Sequence, residues 1–518
     1  MTEDIFDVAI VGFGPSGATA AAQLGLAGLK VYVCDRSHEV YDKPRAIALD
    51  HEILRVFQQL GITEAIERYY EPFTDSCYFG VDGQMIRRMT MVGKPYPQAH
   101  LPSVVFTQPL VEKILRCTVA DIANVTVDLG MALESLQQKD HLVSLDLKSD
   151  RGEATTVNAR YVIGCDGASS TVRALLGLNL EDLGFDEPWL VIDVLVNEQG
   201  LAKLPKTSAQ YCEPERPCTF VIGPNNHRRW EISLTNTEDP IKAATSENAW
   251  QYLKRWITPD DGELWRQASY RFHALVAESW HSGRVFIAGD ASHQQPPFLG
   301  QGMCQGVRDV TNLTWKLETV LKGAISGQPA EALLESYGIE RKEHVKKLTT
   351  AIKSFGATIC ERNIEKARLR DARLLTEQGG VVQPTPRQDI IPKLTTGFIT
   401  QTPGAGSLFP QPWLWMNGVK QRMDSVVGTK WRLVTTSKEF SQVNSRLVNK
   451  IGIRALSLDD ILVESDDLLA NWFKQHAAIA AIIRPDNYVY ATAATMQSLE
   501  QLQDELFNRL DKGQPPNK

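Results

Sequence analysis

The segment Gly12-Phe13-Gly14-Pro15-Ser16-Gly17 constrains this chain more than any other. It stands between the apolar run Val8-Ala9-Ile10-Val11 and a stretch of small residues at 18–22, and the chain returns through Lys30-Val31-Tyr32-Val33-Cys34. That pattern predicts strand, tight turn, helix and strand. Glycines in such a turn let the backbone approach a pyrophosphate closely. The helix that follows offers free N–H groups and the positive end of its dipole. Asp35, with Arg36 beside it, ends the second strand, where a carboxylate can accept hydrogen bonds from a ribose diol. A lone G-x-G-x-x-G also occurs in ordinary turns. Here strand, helix and acid are in register, so a dinucleotide-binding α/β unit is expected.

A chain of 518 residues exceeds what one core normally serves, which predicts two or three domains. With 43% hydrophobic and 23% charged residues, the composition is that of a soluble globular protein. The net charge is −7 with both signs interspersed, and no block of Lys or Arg suggests nucleic acid or a membrane surface as partner. The apolar stretch from residue 6 to 34 is broken by Gly12, Gly14, Pro15 and Gly17, as a βαβ unit requires and a membrane span does not. Residues 1–4 are acidic and lack the basic start of a secretory signal, so the cytoplasm is the expected location. Eight scattered cysteines form no C-x-x-C pair, which argues against a redox disulfide or a zinc site. Cys212 and Cys218 are expected as reduced thiols, and no metal is expected.

Apolar patterning places helices near 50–60 and 109–119, and a small antiparallel sheet at 124–163 that includes Val125 and Val127. Residues 185–280 read as β-rich, after which Arg284-Val285-Phe286-Ile287-Ala288 resumes the first pattern and long helices fill 302–372. The expected organisation is a first part of an α/β domain at 1–180, a β-rich insertion at 181–280, and the remainder of the first domain at 281–376. A Pro-, Gly- and Thr-rich linker at 377–427 and a separate strand–helix–strand–helix unit at 428–512 follow. The tail after Lys512 is expected to be disordered.

Two further motifs follow apolar strands. One is Cys165-Asp166-Gly167-Ala168-Ser169-Ser170-Thr171-Val172-Arg173, which also suits a simple Asp-Gly turn into a Ser-capped helix. The other is Gly289-Asp290-Ala291-Ser292-His293 with Pro296-Pro297-Phe298-Leu299-Gly300-Gln301-Gly302-Met303, a loop that aims a helix start at an electron-rich ligand. With these three motifs in order, residues 5–375 resemble the class A FAD-dependent aromatic monooxygenases of the p-hydroxybenzoate hydroxylase fold. Pro44-Arg45-Ala46-Ile47-Ala48-Leu49-Asp50, Arg229-Trp230-Glu231, Glu340-Arg341 and Ile483-Arg484-Pro485-Asp486-Asn487-Tyr488-Val489 are similar to the 3-(3-hydroxyphenyl)propionate hydroxylase group. The last of these is similar to its thioredoxin-like C-terminal domain, here without C-x-x-C and so structural or oligomeric in role.

The resemblance implies a Rossmann-like FAD-binding domain with an inserted β-sheet substrate domain. It also implies hydroxylation of a phenolic ring with NADH or NADPH and O2 through a flavin C4a-hydroperoxide. It places the FAD pyrophosphate at Gly12, Gly14 and Gly17, the adenosine ribose at Asp35, and further FAD contacts at Arg45 and Gln108. Asp166 serves FAD and nicotinamide in this family. By the same resemblance Asp290 would bind the ribityl chain, with Gly289 a further cofactor contact, and Gly300, Gln301, Gly302 and Met303 would meet the pyrimidine edge of the flavin. A homodimer is common in the group.

Catalytic candidates are His51, Tyr211 and Pro297, and substrate contacts are expected from Trp230 and Phe298. A capping or packing histidine fits position 51 equally well, and core aromatics fit 211 and 230. His293 reads as a structural partner of its loop. Arg216, Arg228 or Arg229 could pair with a substrate carboxylate or sit on the surface. A polyketide- or quinolone-like ring is the alternative substrate. The halogenase-like W-x-W at Trp413-Leu414-Trp415 lies in the linker, followed by Met416-Asn417 where Ile-Pro is expected. A non-catalytic flavin-binding protein is the remaining alternative. The absence of a second G-x-G-x-x-G argues against a reductase with separate FAD and NAD domains.

Overall fold

The computed structural model describes residues 5–416, 418–463 and 467–513. The acidic start at 1–4, Asn417 and the tail at 514–518 lie outside the described residues.

Five parallel strands set the frame. Ile5–Val11 runs between Ala154–Gly164 and Val31–Asp35, with Val285–Ile287 and Val125–Leu129 flanking them. Val8, Ala9 and Ile10 are wholly buried, as expected for a parallel strand covered on both faces. Val125–Leu129 thus belongs to the parallel sheet and not to the antiparallel one expected there. Its alternating pattern reflects an edge position, half covered. Only Met131–Gln138, Val143–Ser149 and Ala154–Gly164 form the antiparallel meander.

The helix Pro15–Leu26 packs its alanines 18, 20, 21 and 22 completely out of solvent, against the long helix Gly302–Leu321. Small side chains allow this close approach, and the turn before it is tighter still. A Cβ on Gly12 would stand 2.4 Å from the carbonyl oxygen of Cys165, and one on Gly17 would stand 1.9 Å from that of Gly12. Only glycine lets these three segments meet.

The β-rich insertion is part of a larger nine-stranded sheet. Its centre is Gly262–Ala277, Leu180–Val196, His227–Ser233, Cys218–Ile222 and Ser208–Tyr211, all antiparallel neighbours. Ser76–Phe79 and Met85–Thr90 extend it from the first segment, and Pro384–Pro386 adds a final parallel strand. The span 377–427, expected as a linker, is packed in its middle, where Leu394, Phe398, Ile399, Phe409 and Gln411 are buried, while its start around Val381 is exposed. Pro and Gly there make the backbone irregular without keeping the middle of the span from packing.

The last unit is a four-stranded sheet of Arg432–Thr435, Arg454–Ser457, Ala480–Ile483 and Val489–Ala493, one pair parallel and two antiparallel. Ser445–Ile451, Leu468–Gln475 and Met496–Lys512 are its helices, so the pattern ends strand–strand–helix. Its turn Arg484-Pro485-Asp486-Asn487-Tyr488 fastens it to the first domain. Asp486 accepts from Asn312 and Trp315, Asn487 accepts from Arg55, and the Tyr488 hydroxyl donates to Glu52 at 2.9 Å. Among the described residues, no helix is long and apolar enough to cross a membrane, and no cluster of His, Cys, Asp and Glu could hold a metal.

Asp424 is the shared counter-charge of this junction. It pairs with Arg55 at 2.7 Å and Arg432 at 3.0 Å, with all three side chains buried. Asp424→Ala strands two buried guanidinium groups, so we expect a loss of about 3–5 kcal/mol, read as a lower urea midpoint. Removing Glu377 from its exposed pair with Arg373 should cost no more than about 1 kcal/mol.

Candidate active site

A cavity of about 400 Å³ is lined on one part by Gly14, Pro15, Ser16, Arg45, Gln108, Cys165, Gly167, Asp290, Pro297, Gly300, Gly302 and Met303. On the other it is lined by Val191, Arg229, Glu231, Arg266, Tyr270 and Phe272 of the nine-stranded sheet. The three separated motifs therefore converge on a single space, and the sheet closes it.

The loop carrying Arg45 is clamped from two directions. The Gln108 side-chain oxygen accepts from the backbone N–H of Arg45 at 3.2 Å and of Ala46 at 2.6 Å. Arg229 donates to the carbonyls of Arg45 at 2.8 Å and Pro44 at 2.9 Å, and Arg266 also donates to Pro44. Asp193 supplies the counter-charge, accepting from Arg229 at 2.7 Å and facing His227 at 2.7 Å. Burial raises the Asp193 carboxyl, but Arg229 and His227 outweigh it and hold the group below its ordinary range.

The opposite wall is the start of helix Gly302–Leu321, which has no side-chain cap. Its free N–H groups and dipole give positive potential at Gly302 and Met303. The loop before it is fixed from behind: Asp309 accepts from the Gly289 N–H at 3.0 Å and contacts His293 at 2.7 Å, and Arg387 donates to the Leu299 carbonyl. Gln301 turns its side chain inward to Arg308 at 2.9 Å, so only its neighbours reach the cavity.

Strand parity separates the candidates from the insertion. In His227–Ser233, Arg229 and Glu231 face the cavity, whereas Trp230 points the other way, wholly buried against Phe220 and Trp256. Tyr211 is on that same far side, beside Phe79 and Trp256. Neither can touch a ligand in the cavity, which corrects the expectation for both. His51 is also displaced: it lies in the first turn of helix His51–Gln59, buried and outside the cavity. Burial pushes it down to about 4, so it is neutral at ordinary pH. Phe298 stands behind Pro297, edge-on to Phe185 and Trp189.

Both oxygens of Asp166 are engaged in the turn, one by Ser170 and one by the Val172 N–H at 3.0 Å; the motif reaches the cavity through its neighbours. Gly12 and Gly17 shape the turn without lining the cavity. Asp35 accepts from the Phe13 N–H at 2.7 Å and the Ser37 N–H at 2.8 Å, and Arg36 is exposed beside it. Arg216 pairs with Glu238 and Arg228 with backbone carbonyls, which leaves Arg229 as the cavity-facing arginine of those three. Sequence reasoning missed Glu231. The alternation Arg229, Glu231, Ser233 against Trp230, Ile232 carried the signal.

These residues fit an FAD. A Cβ on Gly14 would meet nothing within 4 Å, so that glycine borders open space at the uncapped start of helix Pro15–Leu26. The second uncapped helix start lies on the same cavity, and Asp35 keeps spare acceptor capacity at the strand end.

Comparison with known proteins agrees. The FAD binding domain family model matches residues 6–351, and the HcaD C-terminal domain model matches 406–509. A probable NADH-specific resorcinol 4-hydroxylase of Rhodococcus jostii is 32% identical over 514 residues, covering 96% of this chain and 94% of that protein. A 3-(3-hydroxy-phenyl)propionate/3-hydroxycinnamic acid hydroxylase of Burkholderia cenocepacia is 30% identical, covering 93% of each. The flavin-dependent monooxygenase PieE, solved with FAD and substrate, shares the fold with a TM-score of 0.83 at 21% identity, covering 99% of this chain and all of that one. Aklavinone-11 hydroxylase shares it at 0.78 and 19%, with the same coverage. The chain belongs to the FAD binding domain family and has the fold of the FAD-dependent monooxygenases.

Proposed function

We propose that this protein is an FAD-dependent monooxygenase that hydroxylates a small phenolic ring, with a reduced nicotinamide and O2 as co-substrates. The observation that carries the reading is the single cavity shared by the cradle residues Gly14, Asp290, Gly300 and Met303 and the sheet residues Val191, Glu231 and Phe272. Relatives named as resorcinol and hydroxyphenylpropionate hydroxylases support a phenol over a polycyclic substrate. The first of these names supports NADH over NADPH.

In this reading the turn at Gly14 receives the FAD pyrophosphate, Asp35 the adenosine ribose, Gln108 and the Arg45 loop the middle of the cofactor, and Asp290 the ribityl chain. Bound there, FAD supplies electron transfer from the nicotinamide and activation of O2. The chain's own task is placement. The start of helix Gly302–Leu321 sets positive potential where the flavin gains charge on reduction. Val191, Phe272 and Pro297 give the ring an apolar wall that limits water. The C-terminal unit is read, on the connectivity described above, as a thioredoxin-like domain that braces the helix Gly302–Leu321 through the contacts of Asp486 with Asn312 and Trp315. The reading carries with it a cytoplasmic location and a homodimer.

Two outcomes test it. Purified protein should oxidise NADH faster when offered resorcinol or 3-(3-hydroxyphenyl)propionate, with a product heavier by one oxygen; NADH oxidation that no phenol accelerates would contradict it. Gly14→Ala should fold but lose FAD, because the added methyl enters open cradle space. Gly17→Ala should destabilise the flavin-free chain as well, because its methyl meets the Gly12 carbonyl. Thermal unfolding and flavin content of the two variants check this.

A further inference from the structure

The Glu231 carboxylate is the most exceptional group in the cavity wall. It lies at a strand position that faces the cavity, beside Val191 in register, yet is 5% exposed. Among the described residues it makes no hydrogen bond and no ion pair. Leaving a buried carboxylate without partners is costly unless something else supplies them. The hydrogen bonds of the nearby cations go elsewhere: those of Arg229 to Asp193 and to the Pro44 and Arg45 carbonyls, and those of the terminal nitrogens of Arg266 to Pro44 and Tyr270, while its buried Nε has no partner. Thr219, directly opposite on the next strand, donates its hydroxyl to Gln210. The open space beside Glu231 is the cavity that it lines.

We infer that Glu231 is the catalytic base that takes the proton of the substrate's ring hydroxyl. The assignment rests on the proposed phenol hydroxylation. In the step, the ring O–H bond breaks, the proton passes to a Glu231 oxygen, and the electron pair stays on the ring oxygen and enriches the ring. One atom of O2 is then added at a ring carbon. That carbon's proton leaves to solvent, and Glu231 returns its proton to the ring oxygen. The two electrons of the nicotinamide reduce the second oxygen atom to water.

The surroundings suit the task. Burial raises the carboxyl most; Arg229 and Arg266 draw it down and Asp193 pushes it up, leaving it at about 7. Arg45, Cys165, Asp290, Tyr270, Arg271 and His273 are the other charged or titratable groups lining this cavity. A base in this range is mostly ionised just above neutrality and still basic enough to share a phenol's proton. A free phenol, with a pKa of about 10, is almost entirely protonated there.

The test compares wild-type holoenzyme with Glu231→Gln and Glu231→Asp. In the wild type, kcat/KM should rise with pH through an apparent pKa near 7, because the base works only when deprotonated. Glu231→Gln should be slower by about 100-fold or more at neutral pH, and should recover only as the phenol ionises by itself toward pH about 10. Glu231→Asp should keep the limb near neutrality at a reduced rate. Independently of turnover, infrared titration of the wild type should show a protonated-carboxyl band lost near pH 7 that is missing from Glu231→Gln. A Gln variant with bound flavin that keeps the wild-type profile, or the same infrared band, overturns the assignment alone. A wild type that hydroxylates no phenol overturns the proposed function and this assignment with it.

Discussion

Four polar side chains on the helix Gly302–Leu321 must be satisfied inside the protein, and much of the architecture follows from how they are. Arg308, Asp309, Asn312 and Lys316 are all buried. Positions 308, 312 and 316 follow one another along one helix face. Arg308 is answered by Asp50, Glu52 and Gln301, Asp309 by His293 and Arg341, Asn312 by Glu340 and Asp486, and Lys316 by Glu340 at 3.1 Å. Partners come from the first segment, the loop before this helix, the long helix Gln328–Ile359 and the C-terminal unit. A buried charge that loses its partner costs several kcal/mol, so the helix cannot move without all four segments moving too.

That immobility is what a cofactor site needs. The same helix begins at the cavity, so the network that anchors its middle also aims its N-terminus. Glu340, drawn down to about 2 by Arg484 and Lys316 against its burial, stays ionised across the working range. A second clamp, Gln108 against Arg229, holds the loop at 44–46 across the same cavity. One clamp comes from the α/β domain and the other from the nine-stranded sheet, so the two domains define the cavity jointly.

What could be read in the sequence was local. Gly12, Gly14, Gly17 and Asp35 lie within one βαβ unit, so their spacing pointed to them, whereas Gly289, Asp290, Gly300 and Met303 lie close together in sequence and were indicated by the family resemblance. Roles set by distant pairing were not legible. Ser76–Phe79 and Pro384–Pro386 join the nine-stranded sheet from far along the chain. The 377–427 span looked like a linker because its burial depends on partners elsewhere. Trp230 does lie on a strand of the insertion, but a strand shows alternate faces, and its neighbours Arg229 and Glu231 face the cavity. Asp166 shows the converse: its motif reaches the site, while its carboxylate serves the turn.

The central claim is that this cavity brings a flavin, O2 and a phenolic ring together so that one oxygen atom enters the ring. Turnover of resorcinol or 3-(3-hydroxyphenyl)propionate with NADH under ¹⁸O2 in ordinary water, followed by mass analysis of the product, tests it most directly. The account predicts a hydroxylated product whose new oxygen is ¹⁸O. A new hydroxyl drawn from water, or NADH consumed with only labelled peroxide formed from every phenol, would contradict it.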